Sequence, residues 1–187
     1  HTTATGGESK LEQSTNKNTL AANSIINDGA IYNAFPLRVE SPNHGIGNGD
    51  NDGDKRVLLN DPANVVANAD GVVPSPFGWH DVDGAAGAES TLTIGNNVSA
   101  YLDVFENDSP QSVDDFSDGG ASLIFDNPLD LTQEPTEYQP AAVDNLFVWN
   151  NYTHDIWYNY GFDETSGNFQ ENSYGREIPD ENASLFG

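Results

Sequence analysis

The chain has 187 residues, with 30 Asp plus Glu against 6 Lys plus Arg, a formal net charge of −24, and neither Cys nor Met. That charge repels phosphates and excludes an electrostatic nucleic-acid binder. The lack of Cys excludes a disulfide scaffold, a Cys-ligated zinc site and a thiol nucleophile, and no apolar run reaches the roughly 20 residues that a membrane-spanning helix needs.

The mean hydropathy of −0.56 lies near the disordered regime, but aromatic residues make up 10% of the chain and argue for a packed core. Bound cations, a partner or both must offset the self-repulsion if such a chain folds. The chain opens on His1 with no secretory apolar stretch, which reads as a mature product whose leader has been cut away.

Residues 1–30 are small and polar with no sustained period, and read as a flexible polar leader. From Ala30 to Val39 the content is strand-like, and Pro36 favours an edge strand or a bend over a central strand. Ser41 to Asp54 is loop, Arg56 to Leu59 a short apolar strand, and Asn60-Asp61-Pro62 a turn. Ser90 to Ile94 and Val98 to Phe105 alternate in the manner of half-buried strands. Leu123-Ile124-Phe125 is a short buried run.

The strongest periodicity follows. Val143, Leu146, Phe147, Trp149, Thr153, Ile156, Trp157 and Tyr160 fall at spacings of three and four and predict a core helix over about 140–160. Pro140 suits its first turn, Asp144 its positive end and Gly161 the position just past its end. Short strands followed by one long helix give an α+β class.

Asp50, Asp52 and Asp54 alternate with small residues around Gly53, a pattern that points hard oxygens at one centre as calcium requires. An EF-hand match is partial, because the glycine falls early and Asp61 stands where a bidentate Glu would be. Asp114, Asp115 and Asp118 form a second calcium candidate, and Asp81 with Asp83 a third. His80-Asp81 and His154-Asp155 lack the H-E-x-x-H spacing of a zinc helix, so His154 reads as a hydrogen-bonded structural histidine. Neither a G-x-S-x-G elbow nor a phosphate loop is present. Sequons beginning at Asn97, Asn151 and Asn182 are expected by chance in so Asn-rich a chain.

The segment Ala141-Ala142-Val143-Asp144-Asn145-Leu146-Phe147-Val148-Trp149-Asn150-Asn151-Tyr152-Thr153-His154-Asp155, continuing through Ile156-Trp157-Tyr158-Asn159-Tyr160-Gly161-Phe162 to Gly167-Asn168-Phe169-Gln170, resembles the helix-and-turn signature of the fungalysin family of secreted zinc metallopeptidases. Tyr32 to Leu37, Glu40 to Asn43, Ser75 to Asp81 and Gly95 to Asp103 resemble the family's upstream pieces in the same order. The resemblance implies a thermolysin-like fold, with residues 31–187 as a β-rich N-terminal subdomain that lacks the zinc-binding helical lobe. No catalytic or zinc-ligating residue carries over to this chain, and substrate-binding residues stay unassigned. Zinc is implied by the family alone; calcium rests on the local acidic chemistry.

Two functions compete. The chain is either the N-terminal lobe of a secreted, extracellular zinc metalloendopeptidase, hydrolysing polypeptide only when joined to a separate or missing C-terminal zinc-binding lobe, or a non-catalytic calcium-stabilised scaffold used for binding or self-assembly. A glycan-binding module using Trp79, Trp149 or Trp157 is weaker, because helical spacing places the last two in the core.

Overall fold

A computed structural model describes residues 28–39, 54–65 and 71–176. Strand β1, Ile31–Ala34, carries Tyr32 and Ala34 inward and ends before Pro36, whose missing N–H cannot extend a ladder. β2, Val57–Asn60, pairs antiparallel with β1 in the register Ile31↔Asn60, and β3, Ile124–Phe125, pairs parallel with it. The sheet order is β2-β1-β3. β1 is therefore the central strand rather than the expected edge, because Pro36 lies outside it. β2 and β3 are the edges of this sheet, and Val57 and Leu58 of β2 are exposed.

The alternating segments 90–94 and 98–105 do not form extended strands as expected. They make single bridges, Leu92↔Asp118 and Ile94↔Ser99. Thr93 is buried between half-buried Leu92 and Ile94, and its hydroxyl donates to the carbonyl of Ala100, which is buried as well, at 2.8 Å. Val104 and Phe105 are exposed.

Helix α1, Gln139–Tyr158, packs across β1. Proline stands at its start, as the fixed φ of that residue favours. Gly161 follows with φ 91, where the chain reverses and Phe162 N–H returns to the Trp157 carbonyl at 3.1 Å. The chemistry of its faces departs from the expected stripe. Leu146, Trp157 and Tyr160 are exposed, while Asp144, Asn151, His154 and Asp155 are buried together with Val143, Phe147, Val148 and Tyr152. Asp144 is thus a core residue, and the first turn of α1 holds no acid.

The core joins sheet and helix through rings. Tyr32 stacks on Phe125 at 5.0 Å, His80 on Phe125 at 5.1 Å and on Phe147 at 5.0 Å, and Trp79 meets Tyr152 edge-on at 5.3 Å. Each fully buried large apolar side chain contributes about 1.5–3 kcal/mol.

Candidate functional site

The polar residues buried beneath α1 form a connected network. Asp155 accepts from Ser75 Oγ at 3.1 Å, Trp79 Nε1 at 2.9 Å and His154 Nδ1 at 2.9 Å. Ser75 Oγ in turn accepts from Asn97 Nδ2 at 3.0 Å, and Asn97 Nδ2 also reaches Asn151 Oδ1 at 3.2 Å. His154 Nε2 faces Gln170 Oε1 at 3.2 Å. Gln170 continues to Glu164, which accepts from Tyr158 Oη at 2.8 Å and from Arg176 at 3.2 Å. This chain of bonds fastens residues 162–176 to the end of the helix. A cavity of about 300 Å³ lies between residues 95–99 and 168–171.

His80 is held differently. Its Nδ1 faces the Ile94 carbonyl at 3.1 Å, which can only accept, so Nδ1 carries the proton and Nε2 accepts from Tyr32 Oη at 2.6 Å. Burial pushes the His80 imidazole below its ordinary range, against the opposing pull of Asp28.

Among the described residues one acidic group brings its oxygens together. Asp81, Asp83 and Glu89 place ligating atoms within 4.8 Å of one another. The local sequence explains this. Asp81 Oδ1 accepts from Gly84 N–H at 2.9 Å, Asp83 Oδ1 from Ala85 N–H at 2.8 Å, and Gly84 takes φ 79, so two successive side-chain-capped turns fold the loop back. Glu89 N–H closes it onto the His80 carbonyl at 3.2 Å, and Glu89 Oε2 accepts from Val82 N–H at 2.6 Å. Asp81 is fully buried, and Tyr174 Oη donates to its Oδ2 at 2.9 Å. Burial pushes the Asp81 carboxyl up to about 6; bonds from Tyr174 and Gly84 oppose this, and the charges of Glu89 and Asp83 reinforce it. Tyr174 is itself left-handed, at φ 54, and Asn96 Nδ2 donates to its hydroxyl at 3.1 Å.

The other calcium candidates do not converge. Asp50 and Asp52 lie outside the described residues. Asp54 is bound by its own neighbour: Arg56 Nε donates to both carboxylate oxygens at 3.0 Å and Nη2 to one at 2.8 Å. Burial would raise that carboxyl, but the Arg56 hydrogen bonds outweigh it and hold it below the ordinary range. Asp61, at φ 44, accepts from Gly29 N–H at 2.8 Å and so joins the entry to β1 to the exit of β2. Asp115 caps its own short helical turn, accepting from Gln111 and Ser112 N–H at 2.6 and 2.9 Å. Asp114 is exposed, and Asp118 accepts from Gly120 N–H at 2.9 Å. Glu89 is the member of this group that the sequence does not single out. Its signal was an acid six residues after Asp83, across a Gly-rich bend.

Zinc does not fit the described residues. Both ring nitrogens of His80 and of His154 are engaged in hydrogen bonds, and the one clustered set offers oxygen alone, which suits calcium or magnesium. Of the three tryptophans, Trp79 is fully buried, Trp149 is half-buried with its Nε1 on the Phe35 carbonyl at 3.1 Å, and Trp157 is 55% exposed rather than in the core. Among the described residues no helix is long and apolar enough to cross a membrane.

The profile of a family described as fungalysin metallopeptidase matches residues 31–183. Extracellular metalloproteinase 2 of Trichophyton tonsurans is 29% identical over 151 residues, which cover 79% of this chain and 20% of that protein. Extracellular metalloproteinase 2 of Arthroderma gypseum is 30% identical over 151 residues, with the same coverage of 79% and 20%. The extracellular metalloproteinase of Pyrenophora tritici-repentis is 32% identical over 149 residues, covering 78% of this chain and 19% of that protein. The chain spans about a fifth of the length of these curated relatives.

Proposed function

The chain belongs to the fungalysin metallopeptidase family, and on that premise we propose that it is the β-rich N-terminal lobe of a thermolysin-like catalytic domain, which works in peptide-bond hydrolysis when joined to a zinc-carrying C-terminal lobe. One observation carries this reading. The family match covers residues 31–183, while the sequence contains no H-E-x-x-H. The α+β architecture of the described residues, with α1 on a small mixed sheet, agrees with it.

Zinc, bound by the other lobe, would supply a polarised water. The residues described here hold structure: Asp155 and its donors fix α1 against Trp79, and the Gln170–Glu164–Arg176 bonds fix the segment after the helix. No catalytic step is assigned to any residue of this chain. The substrate under this reading is polypeptide and the setting extracellular, in line with the names of the relatives. On the same reading the polar leader ends before residue 28, because Ala30 is buried in the core of the lobe and His80 N–H donates to Asp28 at 3.3 Å.

The test is reconstitution. The chain is mixed with a polypeptide carrying H-E-x-x-H from an extracellular metalloproteinase relative, and casein cleavage is followed with and without chelator. Chelator-sensitive cleavage by the mixture, absent from either part alone, is the expected result. A well-folded mixture that stays inert with zinc present overturns the reading.

A second reading, a calcium-stabilised extracellular scaffold, is favoured by the oxygen-only group Asp81, Asp83 and Glu89. Calcium belongs to both readings as a stabilising ion. The loop 50–54 and the group 114–118 remain weaker candidates, the first because Arg56 already neutralises Asp54.

A further inference from the structure

Helix α1 is inverted relative to an ordinary surface helix. At about 100° per residue, Asp144, Asn151 and Asp155 line the side opposite Leu146 and Trp157, and all three are fully buried. Leu146 is 47% exposed, Trp157 55%, and Tyr160, just past the helix, 78%. The ionisable side chains Asp144, His154 and Asp155 all point inward, and the outward positions Gln139, Ala142, Asn150 and Thr153 are uncharged. A chain of net charge −24 thus presents a helix face without a single charge. A solvated helix carries charged residues outward; one that is apolar on its outer side as well is covered.

We propose that this face, running about 16 Å from Leu146 to Trp157 and on to Tyr160, is the seat of the zinc-carrying polypeptide, which meets it with an uncharged apolar surface of its own. The inference rests on the two-part reading above and names the surface that reading requires. The occupant follows from two observations. In the relatives about four-fifths of the protein lies outside the matched region, so the matched part has a large covalent neighbour there. The uncharged face also fits an apolar protein surface, and gives nothing to a basic ligand that the rest of this acidic chain would attract. The exposed pair Val104 and Phe105 lies instead in a loop bearing Asp103, Glu106 and Asp108, and does not share this property.

The test reads binding rather than activity. The 187-residue chain is titrated with the part of the Trichophyton tonsurans extracellular metalloproteinase 2 that lies outside the matched region, and association is followed by sedimentation and by hydrogen exchange over 139–160. Wild type is expected to associate, with new protection on α1. Leu146→Glu combined with Trp157→Glu is expected to weaken association at least tenfold, as is Thr153→Glu alone, with urea midpoints unchanged because these positions are exposed. Val104→Glu with Phe105→Glu is the control and is expected to bind as wild type does. No association, association indifferent to the α1 variants, or a homodimer that those variants dissolve overturns the proposal. Association of wild type that the α1 variants abolish, with no casein cleavage by the wild-type mixture in the presence of zinc, leaves the docking surface standing and defeats the peptidase reading instead.

Discussion

Trp79 donates its indole N–H to Asp155 Oδ2 across 2.9 Å, with both side chains shut away from solvent. Ser75 and His154 donate to the other oxygen of the same carboxylate at 3.1 and 2.9 Å. One residue on α1 therefore ties the segment 75–79 to the helix. Asp155→Ala leaves three buried donors without their acceptor, and is expected to cost about 3–5 kcal/mol. Urea unfolding followed by Trp fluorescence checks it; a midpoint shift at constant slope is the expected form.

Gly95 sits where a side chain has no room. A Cβ there would overlap the backbone carbonyl of Trp79, and a backbone atom cannot swing aside as a side-chain tip can. Gly95 N–H also closes a turn onto the Val98 carbonyl at 2.9 Å, so the backbone is held from both sides. Gly95→Ala is expected to destabilise by about 1–3 kcal/mol through overpacking. A thermal melt of the variant beside wild type measures it, and an unchanged Tm refutes the close approach.

Asp144 and His80 set opposite pH dependences. Burial raises the Asp144 carboxyl above its usual 3.8, although bonds from Ser117 and Asn127 and the Arg56 charge oppose this, and its Oδ1 has no partner. The stability this proton lends is whole below 3.8 and is lost as pH rises through the folded value. His80 is lowered from 6.5 by burial, so its contribution is present above 6.5 and is lost as pH falls through the folded value. Asp144→Asn removes the first slope and keeps the second. Its stability curve is expected to stay flatter than wild type as pH rises from about 4, and a parallel pair of curves would contradict the assignment.

The start and end of α1 were legible because Pro140 and the three-and-four spacing are local signals. Which face turns inward was not. Apolar periodicity selects Leu146, Trp157 and Tyr160, and the fold buries Asp144, Asn151 and Asp155 because partners distant in sequence satisfy them: Asn127, Asn97, Ser75 and Trp79. Thr93 misled in the same way, since its burial depends on the Ala100 carbonyl and the Ser117 N–H. The candidate acidic loops were legible as composition, but convergence is a property of three dimensions. Asp54 looked available until Arg56, two residues on, closed over it, whereas Asp81 and Asp83 gained Glu89 from across a bend.

The sequons at Asn97 and Asn151 are blocked by the same network. Asn151 is fully buried in α1 and its Nδ2 donates to the Phe147 carbonyl at 3.0 Å. Asn97 Nδ2 is committed to Ser75 and Asn151. A glycan replaces one hydrogen of that amide and needs open space beyond it. Expressed in a glycosylating host, the folded protein is expected to carry no glycan at Asn97 or Asn151, and peptide mass spectrometry reading a modified Asn151 in native material would contradict the fold around it.

Calcium gives the remaining prediction, and the geometry orders the candidates. Asp83 and Glu89 are exposed acids beside the buried Asp81, whose carboxyl is pushed up to about 6 by burial first and by their two charges after it. A divalent ion between them would turn that repulsion into attraction and favour the ionised form. An ion that binds only the native state raises stability by about 2.7 kcal/mol at a hundredfold excess over its Kd. Millimolar calcium is therefore expected to raise the Tm of wild type, and chelator to return it. Asp83→Asn with Glu89→Gln is expected to abolish the shift, since both exposed ligands lose their charge. Asp54→Asn is expected to keep the shift, because its carboxylate already serves Arg56. The reverse pattern, with the shift lost in Asp54→Asn and kept in the double variant, would move the ion to the loop at 50–54, and a wild-type Tm indifferent to calcium would remove it from the chain.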